Sequence, residues 1–304
     1  LSRTARFMIA AVENIARIVG YALWIEVVTA FSPNMLGLEP QFLMPAVLEE
    51  NSGLVWDEEH QTFWTHNDSG GKPRLFEVDT TGTIVKEVLI SNATNEDWEE
   101  LALDRDSKTL YVGDFGNNRN KRKDLCIYKL PLPHGPEKEV SSERISFRYP
   151  DQVAYPPAGR KKEFDMEAMI YWNDSLYLFS KSRSEPYSGY TKMYRVPAEA
   201  GEYVAELVDS FATGGNHFME QWITAADLSN SGERLALLSN GHLWVFEDFK
   251  APYFLRGNAR RLRFERVTQK EALTFRNDSL VYISEEKSSG PGALYQGIIS
   301  SARH

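Results

Sequence analysis

The sequence predicts an all-β fold, a five-bladed β-propeller with an N-terminal α-helical extension, and three observations carry that reading. Five strand-like segments open on similar four- or five-residue stretches: Asn51-Ser52-Gly53-Leu54, Asp97-Trp98-Glu99-Glu100-Leu101, Met166-Glu167-Ala168-Met169, Ile223-Thr224-Ala225-Ala226 and Lys270-Glu271-Ala272-Leu273. Aligned, they give a column of Ser52, Glu99, Glu167, Thr224 and Glu271. After a turn, each copy is followed by a second apolar run ending in polar residues, as in Phe63–Asp68, Leu110–Asp114, Leu176–Lys181, Leu235–Asn240 and Leu280–Glu285. Repeats of roughly 40–50 residues, each read as several short strands, are the mark of a propeller.

Composition agrees with one folded domain plus an extension. The 304 residues are 42% hydrophobic and 12% aromatic, enough for a sizeable core. A formal charge of −9 argues against a nucleic-acid partner and makes a cation the more natural one. The single cysteine, Cys126, excludes an intramolecular disulfide. Of four N-x-Ser/Thr sequons, those at Asn67, Asn173 and Asn277 read Asn-Asp-Ser, a turn sequence between strands, and the fourth is at Asn92.

Residues 1–32 are read as an amphipathic, mostly apolar helix. Arg6, Glu13, Arg17 and Gly20 fall within about a quarter-turn at ~100° per residue, and Pro33 ends the pattern. The helix is long enough to cross a bilayer, on the order of 40 Å at ~1.5 Å per residue. However, Glu13, Arg17 and Glu26 interrupt it, and the longest charge-free run is Ile18 to Ile25. Three roles compete: a poor signal sequence, a helix packed on the propeller's own surface, and an anchor at residues 3–31 for a hydrophobic protein partner or a membrane surface, through Phe7, Ile15, Tyr21, Trp24 and Phe31. An extracellular or periplasmic location, with membrane association, is the matching expectation.

Residues 33–50 read as a linker and closing strand, and 51–304 as the propeller. Blade one reads as Ser52–Trp56, Thr62–His66, Arg74–Val78 and Ile84–Ile90, with turns at Asp57-Glu58-Glu59-His60 and Asp79-Thr80-Thr81-Gly82. Blade two runs from Glu99 through Thr109–Val112, Leu125–Leu130 and Arg144–Tyr149. Blade three runs from Glu167 through Ser175–Ser180, Lys192–Val196 and Val204–Phe211. Blade four runs from Thr224 through Arg234–Leu238, Leu243–Phe246 and Arg261–Arg266. Blade five shows three strands, Glu271–Phe275, Leu280–Ser284 and Ala293–Ile299, and its open edge predicts that the apolar run Phe42–Leu48 supplies the fourth. The N-terminal helix is not a candidate for a sixth blade.

The first strand of each propeller blade lines the central channel, so Ser52, Glu99, Glu167, Thr224 and Glu271 are expected to converge on one axis. Three carboxylates in a confined channel repel unless they are protonated or neutralised. An all-oxygen set suits calcium, with magnesium second because it prefers a tighter octahedron. The plain alternative makes these glutamates polar strand ends bonded to neighbouring backbone.

With its Ser/Glu/Glu/Thr/Glu column, the chain resembles the calcium-centred five-bladed propellers of calcium-activated nucleotidases (apyrases). Leu110-Tyr111-Val112-Gly113 and Ser284-Glu285-Glu286-Lys287-Ser288-Ser289-Gly290 are also similar to stretches of that family. The fuller pattern, with Glu50-Asn51-Ser52-Gly53-Leu54, His66-Asn67-Asp68-Ser69-Gly70, Asp97-Trp98-Glu99 and Gly113-Asp114-Phe115-Gly116-Asn117-Asn118, more closely resembles bacterial propellers of the SdiA-regulated and phytase-like groups. The resemblance implies a central ion held by hydroxyl and glutamate side chains. Asp114-Phe115-Gly116-Asn117-Asn118-Arg119 replaces the nucleotidases' glycine-rich turn, a departure that bears on nucleotide hydrolysis and leaves the ion site intact.

Two functions follow from different classes. In one, calcium pins a binding or accessory propeller that docks through the N-terminal helix. In the other, the protein is a calcium-dependent phosphohydrolase acting on a phosphate-bearing small molecule: Asn67, Asp68, Asn117, Lys181, Arg183, Asn240 and Lys287 hold the substrate, and Asp114 or Glu285 activates an ion-bound water. No H-E-x-x-H, G-x-S-x-G or P-loop motif is present.

Overall fold

The computed structural model describes residues 34–214, 217–287 and 292–300. The expected helix at 1–32 lies outside the described residues, as do Ser288, Ser289 and Gly290 of the blade-five loop. Among the described residues no helix is long and apolar enough to cross a membrane.

The chain opens with β1 (Leu38–Leu43) and then builds a five-bladed propeller of antiparallel sheets. Blade one contains β2 (Asn51–Asp57), β3 (Thr62–Asn67), β4 (Arg74–Asp79) and β5 (Ile84–Ile90). Blade two contains β6 (Trp98–Asp104), β7 (Thr109–Asp114) and β8 (Cys126–Pro131); after the short β9 (Glu139–Val140) comes its outer strand β10 (Glu143–Arg148). Blade three has β11 (Met166–Trp172), β12 (Ser175–Ser180) and β13 (Tyr190–Pro197), then β14 (Gly201–Val204) and the outer strand β15 (Glu206–Ala212). Blade four is β16 (Ile223–Leu228), β17 (Leu235–Ser239), β18 (His242–Glu247) and β19 (Asn258–Arg263). Blade five is β20 (Lys270–Phe275), β21 (Leu280–Glu285) and β22 (Ala293–Ile298), completed by β1.

The outer strand of blade five is Leu38–Leu43, paired antiparallel with β22, and not Phe42–Leu48. The apolar residues Met44 and Leu48 instead bury themselves between blades five and one, so their hydrophobicity records a core role rather than a strand. Two strands have no counterpart in the sequence reading. β9 adds in parallel to β5 of blade one, and β14 adds in parallel to β10 of blade two. Each is a loop of the following blade that covers the edge of the preceding one, which removes an exposed ladder.

Alternate faces of each inner strand pack on different neighbours, the period-2 consequence of pleating. Leu101 packs toward blade one, with Val55 and Trp64, and Ala102 toward blade three, with Met169 and Leu178. The apolar interior accordingly divides into clusters at all five blade junctions. Inner strands are buried on both faces, β2 along its whole length, whereas outer strands such as β5 alternate. The Asn-Asp-Ser sequon in blade three is a hairpin turn, with φ of +46° at Asn173 and +57° at Asp174.

Candidate functional site

All five inner strands start at the same end of the channel, and each carries a β-bulge there. The pairing skips Glu99 in β6, Glu167 in β11, Thr224 in β16 and Glu271 in β20. A bulge sets two residues against one and re-aims a side chain; the same irregularity in successive blades repeats the same aim. Blade one differs, because its skipped residue is Gly53, with φ +62°. Ser52 therefore stands one residue ahead of the column that the aligned segments suggest. A Cβ at Gly53 would fall 2.5 Å from His66 Nε2 and 2.9 Å from the Leu101 nitrogen, so only glycine fits.

The two hydroxyls are committed to neighbouring blades. Ser52 Oγ donates to the Glu99 carbonyl (2.6 Å), and Thr224 Oγ1 donates to the Lys270 carbonyl (2.6 Å). Among the described residues, the acidic oxygens that come within 4.8 Å of one another at this mouth are Asp68, Asp97 and Glu99 in one set, and Glu99, Asp165 and Glu167 in another. Glu99 belongs to both. Glu271 belongs to neither, although it lies within electrostatic reach of Asp68 and Lys181.

Asp97 and Asp165 are absent from the sequence-derived column, yet a signal for them exists. Each stands two residues before a bulged glutamate, in Asp97-Trp98-Glu99 and Asp165-Met166-Glu167. The backbone is shaped to admit them: a Cβ at Gly116 would sit 2.6 Å from Asp97 Oδ2 and closer still to Glu99. The Gly116 nitrogen donates to the Asp97 carbonyl (3.0 Å), which fixes the loop against the acid cluster.

Protein cations neutralise part of this charge. Lys181 Nζ lies 2.9 Å from Glu167 Oε2; Arg183 Nε is 2.6 Å from Asp165 Oδ2, and its second nitrogen is 3.3 Å from Glu167 Oε1. These two side chains are thus held against the acids inside the mouth. Lys181 and Arg183 offset two of the charges from within the protein. Six carboxyls, Asp68, Asp97, Glu99, Asp165, Glu167 and Glu271, still face those two cations.

The excess shows in their acidity. Burial, with Asp97, Glu167 and Glu271 nearby, pushes Asp68 up to about 8. Burial and Asp165 push Asp97 to about 6, and burial and Glu167 push Asp165 to about 7 against the pull of Arg183. Glu99, enclosed by Glu167 and three aspartates, is raised well above the ordinary carboxylate range.

Several acceptors at the mouth also lack a partner. Asn51 Oδ1, His66 Nε2, Asn67 Oδ1 and Asp68 Oδ1 are buried and accept no hydrogen bond from the described residues. His66 Nδ1 lies 3.0 Å from the Asn67 carbonyl, an arrangement in which it donates and Nε2 is left a bare acceptor. Burial lowers the ring to about 4, so proton uptake does not satisfy it near neutrality. All four atoms lie where β2 begins and β3 ends. Buried acceptors without donors are uncommon and call for a cation, a water or a ligand.

The remaining sequence-derived candidates each make contacts of their own. Asp114 accepts Arg122 Nη2 (2.8 Å) and the Asp97 nitrogen (3.2 Å), so it buttresses the loop. Glu285 pairs with Lys270 Nζ (3.2 Å), accepts Thr268 Oγ1 and takes the Tyr295 hydroxyl (3.1 Å). Asn117 organises its own loop: its Oδ1 accepts the nitrogens of Lys121 (2.7 Å) and Arg122 (3.0 Å), and its backbone nitrogen donates to Asp165 Oδ1 (2.7 Å). Asn67 Nδ2 donates to the Val47 carbonyl (2.7 Å), and Asn240 Oδ1 accepts the Lys270 nitrogen (3.2 Å). Lys287 pairs with Glu49 at the surface.

Beside the acid cluster opens a cavity of about 440 Å³ lined by Arg183, Trp222, Tyr187, Phe218, Lys162 and Glu185, among others. Arg183 packs over the Trp222 ring at 4.6 Å, and Trp222 Nε1 donates to the Ser182 carbonyl (2.6 Å). One edge of this aromatic wall therefore touches the residue that ion-pairs with Asp165 and Glu167.

No protein-family model matches the chain, and no curated protein sequence matches it. Solved structures do. The PQQ-bound aldose sugar dehydrogenase of Streptomyces coelicolor superposes with a TM-score of 0.50 at 11% identity, over 88% of this chain and 99% of that one. The Cps50 (Swd1) β-propeller domain of Myceliophteria thermophila gives 0.44 at 10% identity, over 87% and 100%. At such identities the likeness speaks to the fold alone, and the chain is a β-propeller.

Proposed function

We propose that the protein is a calcium-binding β-propeller that acts as a binding or accessory module, with the ion at the channel mouth among Asp68, Asp97, Glu99, Asp165 and Glu167. The observation that carries this reading is the unpartnered, buried Asp68 Oδ1 beside Asp97 and Glu99. The donor set is oxygen only and rich in carboxylates, as a hard cation with six to eight ligands requires, and magnesium's stricter octahedron makes it the weaker fit. Similarity of the aligned segments to calcium-centred nucleotidase and phytase-like propellers supports the same ion. The ion pairs that engage Asp114 and Glu285 favour binding over turnover. In this reading the apolar face of residues 3–31 is the docking element for a hydrophobic partner or membrane surface.

A second reading, calcium-dependent hydrolysis of phosphate esters or anhydrides, is favoured by one feature. The cavity walled by Arg183 and Trp222 adjoins carboxyls whose acidity is tuned toward neutrality, a combination typical of reactive sites.

Calorimetric titration of the chelator-treated protein with calcium, alongside thermal unfolding and phosphate-release assays on nucleoside di- and triphosphates and model esters, tests both. Calcium binding with a raised melting temperature and no turnover is the expected result. Absence of any calcium heat or thermal shift overturns the ion site, and turnover that disappears in Glu99→Gln replaces the binding reading with the hydrolytic one.

A further inference from the structure

A second cluster of ligating side chains stands at the opposite end of β2 from the acid mouth. Ser52 and Asp57 are five residues apart on one strand, about 17 Å at ~3.3 Å per residue. Asp57 is buried, and one of its oxygens, Oδ2, faces two imidazoles: His60 Nδ1 at 3.0 Å and His134 Nε2 at 2.7 Å. Its other oxygen accepts the Glu59 nitrogen at 3.1 Å. All three ligand atoms lie within 4.8 Å of one another, and the rings are 4.1 Å apart. Burial alone would raise the Asp57 carboxyl, but His60 and His134 beside it hold it below the ordinary value, so it stands ionised.

The cluster joins separate parts of the fold. Asp57 and His60 belong to the β2–β3 turn of blade one, whereas His134 follows β8 of blade two. The His134 loop is held in place from blade one: Lys86 Nζ donates to the Pro133 carbonyl (2.5 Å) and to the Gly135 carbonyl, on either side of the histidine. The histidine side chains are 42% and 24% exposed, which leaves a solvent path to the nitrogens.

We propose that Asp57, His60 and His134 bind one borderline divalent cation, zinc in the first instance, as a clamp across the seam between blades one and two. Two imidazole nitrogens and one carboxylate oxygen are a zinc set, with a fourth position open to water, and they are a poor calcium set. Ligand atoms around tetrahedral zinc sit roughly 3.3 Å apart, given metal–ligand lengths of ~2.0–2.1 Å. The present spacings of 2.7 and 3.0 Å need to open by about 0.6 and 0.3 Å to reach that distance. A hard ion at the mouth and a borderline ion at the seam would then be sorted by ligand type.

The test uses the full, untagged chain, stripped with chelator and saturated with calcium, then titrated calorimetrically with zinc chloride. One zinc per chain is expected, with weakening beyond the roughly 100-fold that outer-shell changes cause in His60→Gln and in His134→Gln, while the calcium response of both variants stays as in the parent. Cobalt(II) bound to the unsubstituted protein supplies a readout independent of any variant: an intense tetrahedral visible spectrum supports the assignment. Equal zinc binding in both variants, no zinc heat in the parent, or a weak octahedral cobalt spectrum overturns it.

Discussion

Glu99 and Glu100 are consecutive and both buried, yet they belong to opposite halves of the channel. Glu100 reaches across the axis from blade two to blade four, where its Oε2 accepts the Ala226 nitrogen (3.0 Å), and its Oε1 accepts the Leu101 nitrogen (3.0 Å). Further along the same strand direction, Arg105 reaches Asp227 (3.5 Å) and the Trp56 carbonyl (3.3 Å); Asp227 accepts the Phe275 nitrogen (2.7 Å), and Trp56 donates to Thr274 Oγ1 (3.1 Å). That half is a closed network tying four blades together, and the protein supplies every partner named. Glu99, one residue earlier and turned by the bulge, faces carboxylates and unpartnered acceptors. Glu100 and Arg105 serve closure of the ring; the acceptors around Glu99 are left for something that comes from outside.

The largest effect expected from breaking this contrast is in the closed half. Glu100→Ala should destabilise the chain by about 3 kcal/mol or more, because it leaves two buried N–H donors without acceptors and opens a cavity; denaturant unfolding measures it. Glu99→Gln should abolish the calcium-dependent rise in melting temperature while leaving the calcium-free protein as stable as the parent or more so, since it removes repulsion from Glu167 and three aspartates. A loss of calcium-free stability comparable to that of Glu100→Ala would erase the distinction between the two halves.

The next effect is one of pH. In the ion-free state Asp68, Asp97 and Asp165 have folded-state values raised above the ordinary carboxylate value. The folded protein therefore holds protons that the unfolded chain has released. Its stability is complete below about pH 4 as far as these groups are concerned, and falls as pH rises through about 6, 7 and 8. Thermal unfolding without calcium should show a lower melting temperature at pH 8.5 than at pH 5.5, by roughly 2–4 °C for each kcal/mol lost, and calcium should restore it. A flat profile would mean that Lys181 and Arg183 already balance the mouth. The smallest effect is expected for Lys287→Ala, whose surface pair with Glu49 should be worth less than about 0.5 kcal/mol by chemical unfolding and should leave calcium binding unchanged.

Much of this was legible in the linear sequence. Strand alternation and turn residues are local, so β2 to β5 fall within two residues of their expected positions, and Asn173-Asp174 reads as a turn because its side chains tolerate positive φ. The repeated acidic column is likewise local, and two of its members, Glu99 and Glu167, do meet. What failed was whatever depends on contact between blades. Ser52 misaligns because a glycine bulge moves blade one by a residue. The Asp-x-Glu spacing of Asp97 and Asp165 is visible in the sequence, but the closeness of Asp97 to Asp68 and of Asp165 to Glu99 arises between blades, and the pairing of Lys181 and Arg183 with Glu167 and Asp165 exists only in the fold.

By itself, then, the sequence determined the architecture: five copies of one strand pattern can bury their two-faced inner strands only by closing into a ring. The tertiary structure alone decided which charges remain uncompensated, because that balance is struck between residues from different blades. It set Lys181 and Arg183 against six acids, sealed Glu100 with a backbone donor from the far side of the channel, and put His134 of blade two beside Asp57 and His60 of blade one. Electrostatic energy depends on distance and burial, and neither can be read along a single strand.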